Sequence, residues 1–144
     1  MTLSEACKGL ELHFTRASQA AEEIKKLDID TVSFESFEVV KTIDTFVYRF
    51  LKVQDYMGQK LFPIFLDELS EYDPSMPFRD VLNRLERLQI LSSAHDWLRY
   101  REIRNTLTHD YPDNQEDIRE GIKLALNAFE DIRKIFEKIK SYPV

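Results

Sequence analysis

Over the last third of the chain Ile118, Ile122, Ala125, Phe129, Ile132, Phe136 and Ile139 recur at alternating steps of four and three. That spacing lays one apolar stripe along a single helical face, and only packing against other such stripes removes it from water. Leu3, Cys7, Leu10, Phe14, Ala17, Ala21 and Ile24 repeat the pattern at the other end, in a first helix that ends near Leu27. Between them, "FEVVKTIDTFVYRFLKVQDYMGQKLF" carries the stripe Phe46, Phe50, Val53, Met57 and Leu61. Strand-like alternation is scarce and connections are short, which predicts an all-α fold, an antiparallel bundle of four to five helices.

Punctuation sets the boundaries. "DIDTVS" supplies turn residues, and Ser33 or Ser36 is the N-cap of the second helix. Pro63 starts or kinks a short segment, "SEYDPSMP" is a loop, and Pro77 opens a third helix that runs to about Leu91. A fresh cap at Ser92 or Ser93 begins a fourth helix ending near His109, and the last follows Asn114. At 144 residues, 43% hydrophobic, the chain suits one domain, residues 1–144.

The same composition narrows function. No apolar run approaches the roughly 18 residues of a membrane span, and "MTLSEACKGLELHF" lacks the order of a signal peptide, so the expectation is a cytoplasmic protein that does not engage a membrane. The lone Cys7 forms no internal disulfide and reads as a small hydrophobe on the core stripe; His13 and His95 read as structural. With no metal-ligand spacing, neither a metal nor a cofactor is expected. Asp28 and Asp30 form a D-x-D pair, but neither a Gly-Ser turn nor a strand precedes it, and it reads as a linker. A net charge of −6 opposes generic nucleic-acid binding, so any such contact is local and a dedicated protein partner is favoured.

One stretch departs from this pattern, "RYREIRNTLTHDYPDN". On a helix Arg101, Arg104, Thr108 and Tyr111 share a stripe beside the apolar face of Trp97, Tyr100, Ile103 and Leu107. Arginine's fork binds phosphate oxygens bidentately, and histidine moves protons near neutral pH. Together they suit metal-independent phosphodiester cleavage in RNA, where the 2′-hydroxyl is itself the nucleophile. His109 lies about 140° around a regular helix from Arg104. Two arrangements reunite them: unwinding of the last turn ahead of Pro112, or a two-fold dimer. The helix macrodipole favours charged His109 and Arg104 opposes it. On the second helix Asp44, Tyr48, Asp55 and Gln59 form a polar stripe, from which Asp44 and Tyr48 are candidates to support Arg104.

"RNTLTHDY" resembles the signature of the HEPN superfamily, in particular the HepT-type toxins: an arginine, four residues, a histidine, any residue, a tyrosine. "IDTFVYRFLKVQDYMGQKLF" is similar to the second helix of those proteins. The resemblance implies a helical bundle that forms a homodimer with both motifs at its interface cleft. The activity it implies is that of a metal-independent endoribonuclease, the toxin of a type II/VII-like toxin–antitoxin pair. Its partner is an MNT-type nucleotidyltransferase antitoxin that transfers AMP to the motif tyrosine. Carried over, Arg104 stabilises the phosphate, His109 transfers protons, Asn105 orients the site and Tyr111 accepts AMP, with Arg101, Asp44 and Tyr48 as possible supporting residues. Some family members are noncatalytic substrate-binding partners of nucleotidyltransferases, and such an interaction subunit is the alternative.

Overall fold

Each apolar stripe closes on its neighbours as a helix in the computed structural model, which describes residues 1–109, with the backbone alone at residue 109, and residues 115–144. Helix α1 spans Leu3–Lys25. It opens on a reciprocal capping box in which Glu5 N–H donates to Thr2 Oγ1 at 3.1 Å and Thr2 N–H donates to the Glu5 carboxylate at 3.2 Å. Helix α2 spans Phe37–Tyr56, entered from Ser36, whose side chain makes no cap bond.

The expected break at Pro63 is absent. Instead α2 passes through a π-helical turn, Met57–Leu61, into α3, Phe62–Glu68, with right-handed helical torsions throughout. Proline has no N–H to donate and its ring crowds the carbonyl four residues back. The wider turn, in which Phe62 N–H reaches back five residues to Met57 O, relieves that conflict and the rod continues. Helix α4 spans Phe78–Arg87 and stops short of the expected Leu91, because Gln89 adopts a left-handed torsion (φ 62°). Ile90 and Leu91 are nonetheless buried. Ser93 is the cap of α5, Ala94–His109, with Oγ accepting Asp96 N–H at 3.1 Å. Helix α6 spans Gln115–Ser141, and its expected cap region at residues 112–114 lies outside the described residues. Counting α2, the π turn and α3 as one rod, five helices pack as a bundle, and the described residues hold no strand.

Pairs of side chains fix the directions. His13 meets Arg49 and Met1 meets Tyr56, so α1 and α2 are antiparallel. Glu11 meets Lys140 and Lys25 approaches Glu130, which sets α6 antiparallel to α1. Tyr100 meets Asp131 while Leu107 lies against Gly121, so α5 also runs against α6. A Cβ on Gly121 would stand 3.1 Å from Leu107 Cδ2, so the missing side chain is what lets the end of α5 seat so closely. The core draws on all the predicted stripes, with Phe14 stacked on Phe136 at 4.7 Å and Trp97 edge-on to Phe62 at 4.7 Å.

The α1–α2 connection is pinned to α6. Arg119 Nη1 donates to Ile29 O (2.8 Å) and Val32 O (3.0 Å), and its guanidinium lies over Phe34. Asp28 accepts Asp30 N–H in a local turn and Asp30 pairs with Lys123, so the D-x-D stretch does serve as a linker. No helix among the described residues is long and apolar enough to cross a membrane.

Candidate functional site around Arg104

Helix α5 is anchored through one face. Trp97, Tyr100 and Leu107 are buried and Ile103 half-buried, as their spacing predicts. Two hydrogen bonds fix its rotation. Gln54 Nε2 of α2 donates to the Tyr100 carbonyl at 2.9 Å, and Tyr100 Oη donates to Asp131 Oδ2 of α6 at 3.1 Å. Burial first, and the Asp131 charge second, push the Tyr100 phenol up to about 12, so it stays protonated as a donor.

That rotation turns Arg104 toward α2. Its Nη2 donates to Asp55 Oδ2 at 3.0 Å and its Nη1 to Asn105 Oδ1 at 3.2 Å, while Thr108 Oγ1 donates to the Arg104 carbonyl at 3.0 Å. The side chain is 27% exposed and its Nε is buried without a protein partner. A guanidinium carries five N–H donors. Two are engaged, so the fork is held in orientation while donors remain for an anion. One turn earlier, Arg101 is exposed and lies over Phe78, 5.2 Å from the ring centre.

Asn105 therefore adjoins Arg104 as the sequence suggests. Neither Asp44 nor Tyr48 is among the partners that hold Arg104: both are exposed, Tyr48 with Arg49 and Lys52 over its ring, and they precede Asp55 by roughly 16 Å and 10 Å along the helix. Asp55 belongs to the same polar stripe, and the stripe was the available signal for it. Gln54 was missed. It sits one turn beyond buried Phe50, and a polar residue at a core position is the pattern that singles it out. The α5 backbone remains helical to residue 109, while the side chain of His109 and the whole of Tyr111 and Pro112 lie outside the described residues.

Two recesses flank α5. A cleft of about 340 Å³ opens where Gln54, Asp55, the π turn, Phe78, Trp97 and Arg101 converge. On the opposite side a groove of about 460 Å³ runs between α5 and α6, lined by Ile103, Thr106 and the exposed Leu124. Elsewhere, His95 is exposed next to the α5 cap, Cys7 is half-buried with its thiol pushed up chiefly by burial, and His13 Nδ1 lies 3.0 Å from Arg49 Nη1. Among the described residues no three His, Cys, Asp or Glu side chains cluster as a metal site.

Comparison of the chain with protein-family models, with curated proteins and with solved structures finds no match.

Proposed function

We propose that the protein is a metal-independent endoribonuclease, the toxin of a HEPN/MNT-type toxin–antitoxin pair, with Arg104 as its phosphate-binding group and His109 as its proton-transfer group. The carrying observation is the Arg104 guanidinium, fixed between Asp55 and Asn105 with further donors unengaged, at the end of the helix that also carries His109. In this reading the RNA 2′-hydroxyl gives up its proton as the P–O2′ bond forms. The P–O5′ bond breaks and the leaving 5′-oxygen takes a proton, leaving a 2′,3′-cyclic phosphate. Arg104 offsets the extra negative charge on phosphorus in the transition state. AMP transfer to Tyr111 by the partner nucleotidyltransferase adds a second anion near the same arginine and obstructs RNA.

The test is incubation of purified protein with end-labelled RNA in excess chelator. Cleavage to cyclic-phosphate ends that is abolished in both Arg104→Ala and His109→Ala supports the proposal, and cleavage unchanged in both overturns it. For the modification, Tyr111→Phe is expected to escape AMP addition and to remain active beside the partner enzyme. Neutralisation of that variant would mean inhibition by binding alone.

One observation favours a second reading, a noncatalytic subunit of a nucleotidyltransferase complex. The Asp55 carboxylate occupies part of the arginine fork and opposes an incoming phosphate. Absence of cleavage by the wild-type homodimer together with tight binding of the nucleotidyltransferase would select it.

A further inference from the structure

The cleft beside Arg104 has a feature that packing does not explain. Gln54 is 3% exposed, its Nε2 is committed to the Tyr100 carbonyl, and its Oε1 is buried without a protein partner. Because the amide nitrogen is fixed by that bond, the free atom is an acceptor, and burial without a donor is costly. Gln54 forms part of the cleft wall. Whatever occupies the cleft meets an oxygen in need of an N–H.

The rest of the wall is equally particular. Asp55, next in sequence, adds a second acceptor, and Arg101 contributes a forked donor. Trp97 and Phe78 supply aromatic surface. Gly58, in the π turn, leaves the space between them open: a Cβ there would come within 3.5 Å of Phe78 and 4.0 Å of Trp97 Nε1. Such turns recur at functional sites, where they re-aim the side chains on either side. Here the turn follows directly on Gln54 and Asp55. Two neighbouring acceptors, an arginine and aromatic walls match a purine with adjacent N–H donors on one edge and acceptors on another. Guanine offers N1–H and N2–H₂ to carboxylate or amide oxygens, and O6 and N7 to an arginine fork. Uracil has one N–H between two carbonyl oxygens, which would face the Gln54 and Asp55 oxygens.

We propose that this cleft is a nucleobase subsite that takes an unstacked guanine of single-stranded RNA beside the phosphate held at Arg104. Asp55 joins the two, since it lines the cleft and also receives the Arg104 hydrogen bond. The identity of the ligand as RNA rests on the proposed nuclease function; the base preference rests on the cleft alone.

Trp97 is the chain's single tryptophan and forms part of the wall, so its fluorescence reports occupancy directly. Titration with the four ribonucleoside 5′-monophosphates and with ribose 5-phosphate is expected to give tightest binding for the guanosine nucleotide, about tenfold tighter than for uridine. Arg101→Gln, which alters an exposed side chain, is expected to erase that preference, as is Gly58→Met, which fills the space the glycine leaves. Gln54→Met removes the acceptor and should do the same, and its melting temperature is read alongside because the Tyr100 bond is lost too. Equal binding of all four nucleotides, or binding of ribose 5-phosphate as tight as any of them, overturns the subsite. Guanosine nucleotide binding without RNA cleavage overturns the nuclease and leaves the cleft assignment standing. RNA cleavage with no base preference in the cleft does the reverse.

Discussion

Arg104 of α5 and Asp55 of α2 are 49 positions apart in sequence and share a 3.0 Å hydrogen-bonded ion pair, with the Asp55 side chain 41% exposed. A pair this open to water adds at most about 1 kcal/mol to stability. Its larger consequence is to aim the guanidinium while lowering its pull on a phosphate. Asp55→Asn keeps an oxygen for Arg104 Nη2 and removes the charge, so RNA binding is expected to strengthen by up to about fivefold, with the melting temperature nearly unchanged. Filter-binding titrations at fixed salt measure this. Weaker binding by Asp55→Asn would show that the carboxylate is needed to position the arginine more than it competes with RNA.

The Tyr100–Asp131 bond predicts alkaline behaviour. The Tyr100 phenol titrates near 12 in the folded chain against an ordinary value of 10. Between those values the unfolded chain releases a proton that the folded chain keeps. Stability from this source is therefore complete below pH 10 and is lost as pH rises toward 12. Tyr100→Phe should cost about 1–2 kcal/mol at neutral pH, because half-buried Asp131 loses a donor. It should also flatten the decline above pH 10 relative to the wild type. Urea titrations at several alkaline pH values test both parts.

On the acid side the relevant pair is His13 and Arg49. Burial first, then Arg49, Lys52 and Arg16, hold the His13 imidazole below its ordinary value of 6.5. A neutral Nδ1 accepting from Arg49 fits that direction. Below about pH 6.5 the unfolded chain binds a proton that the folded chain resists, so this contribution to stability is whole above that pH and falls as the medium is acidified toward the folded value. His13→Gln should lessen the loss of melting temperature between pH 7 and pH 5. An acid response identical to the wild type's would place the sensitivity elsewhere.

The helices and their buried faces were legible because periodicity directly encodes which side of each rod meets the core: Phe46, Phe50, Val53, Met57 and Leu61 are all buried as expected. Boundaries set by single residues were less so. Pro63 reads as a break, yet a π turn absorbs it, and Gln89 ends α4 with a left-handed torsion that nothing local in its residue type announces. At the candidate site, Arg104 and Asn105 were legible from the motif. Their partner was not, because choosing Asp55 over Asp44 or Tyr48 requires knowing how far along α2 the fifth helix crosses. That crossing is fixed by Gln54 and Tyr100, a contact between residues 46 positions apart.

The final prediction is that the protein is a homodimer through α5 and α6. In a regular helix Arg104 and His109 diverge by about 140°, and α5 remains helical through residue 109. A two-fold contact brings the arginine of one protomer toward the histidine of its partner. The α5–α6 groove supplies an apolar surface for that contact, with Ile103 half-buried and Leu124 45% exposed at its edge. Placing a charge there should separate the protomers while leaving the monomer's core intact, since Leu124 is not part of that core. Light scattering at micromolar concentration is expected to give twice the chain mass for the wild type and the single mass for Leu124→Lys, with at least a tenfold weaker association, on the order of 1.4 kcal/mol or more. RNA cleavage by the variant should fall in step with the monomer fraction and recover at high protein concentration. A monomeric wild type that cleaves RNA would instead place both groups of the site within one chain, through unwinding of the last turn of α5 ahead of Pro112.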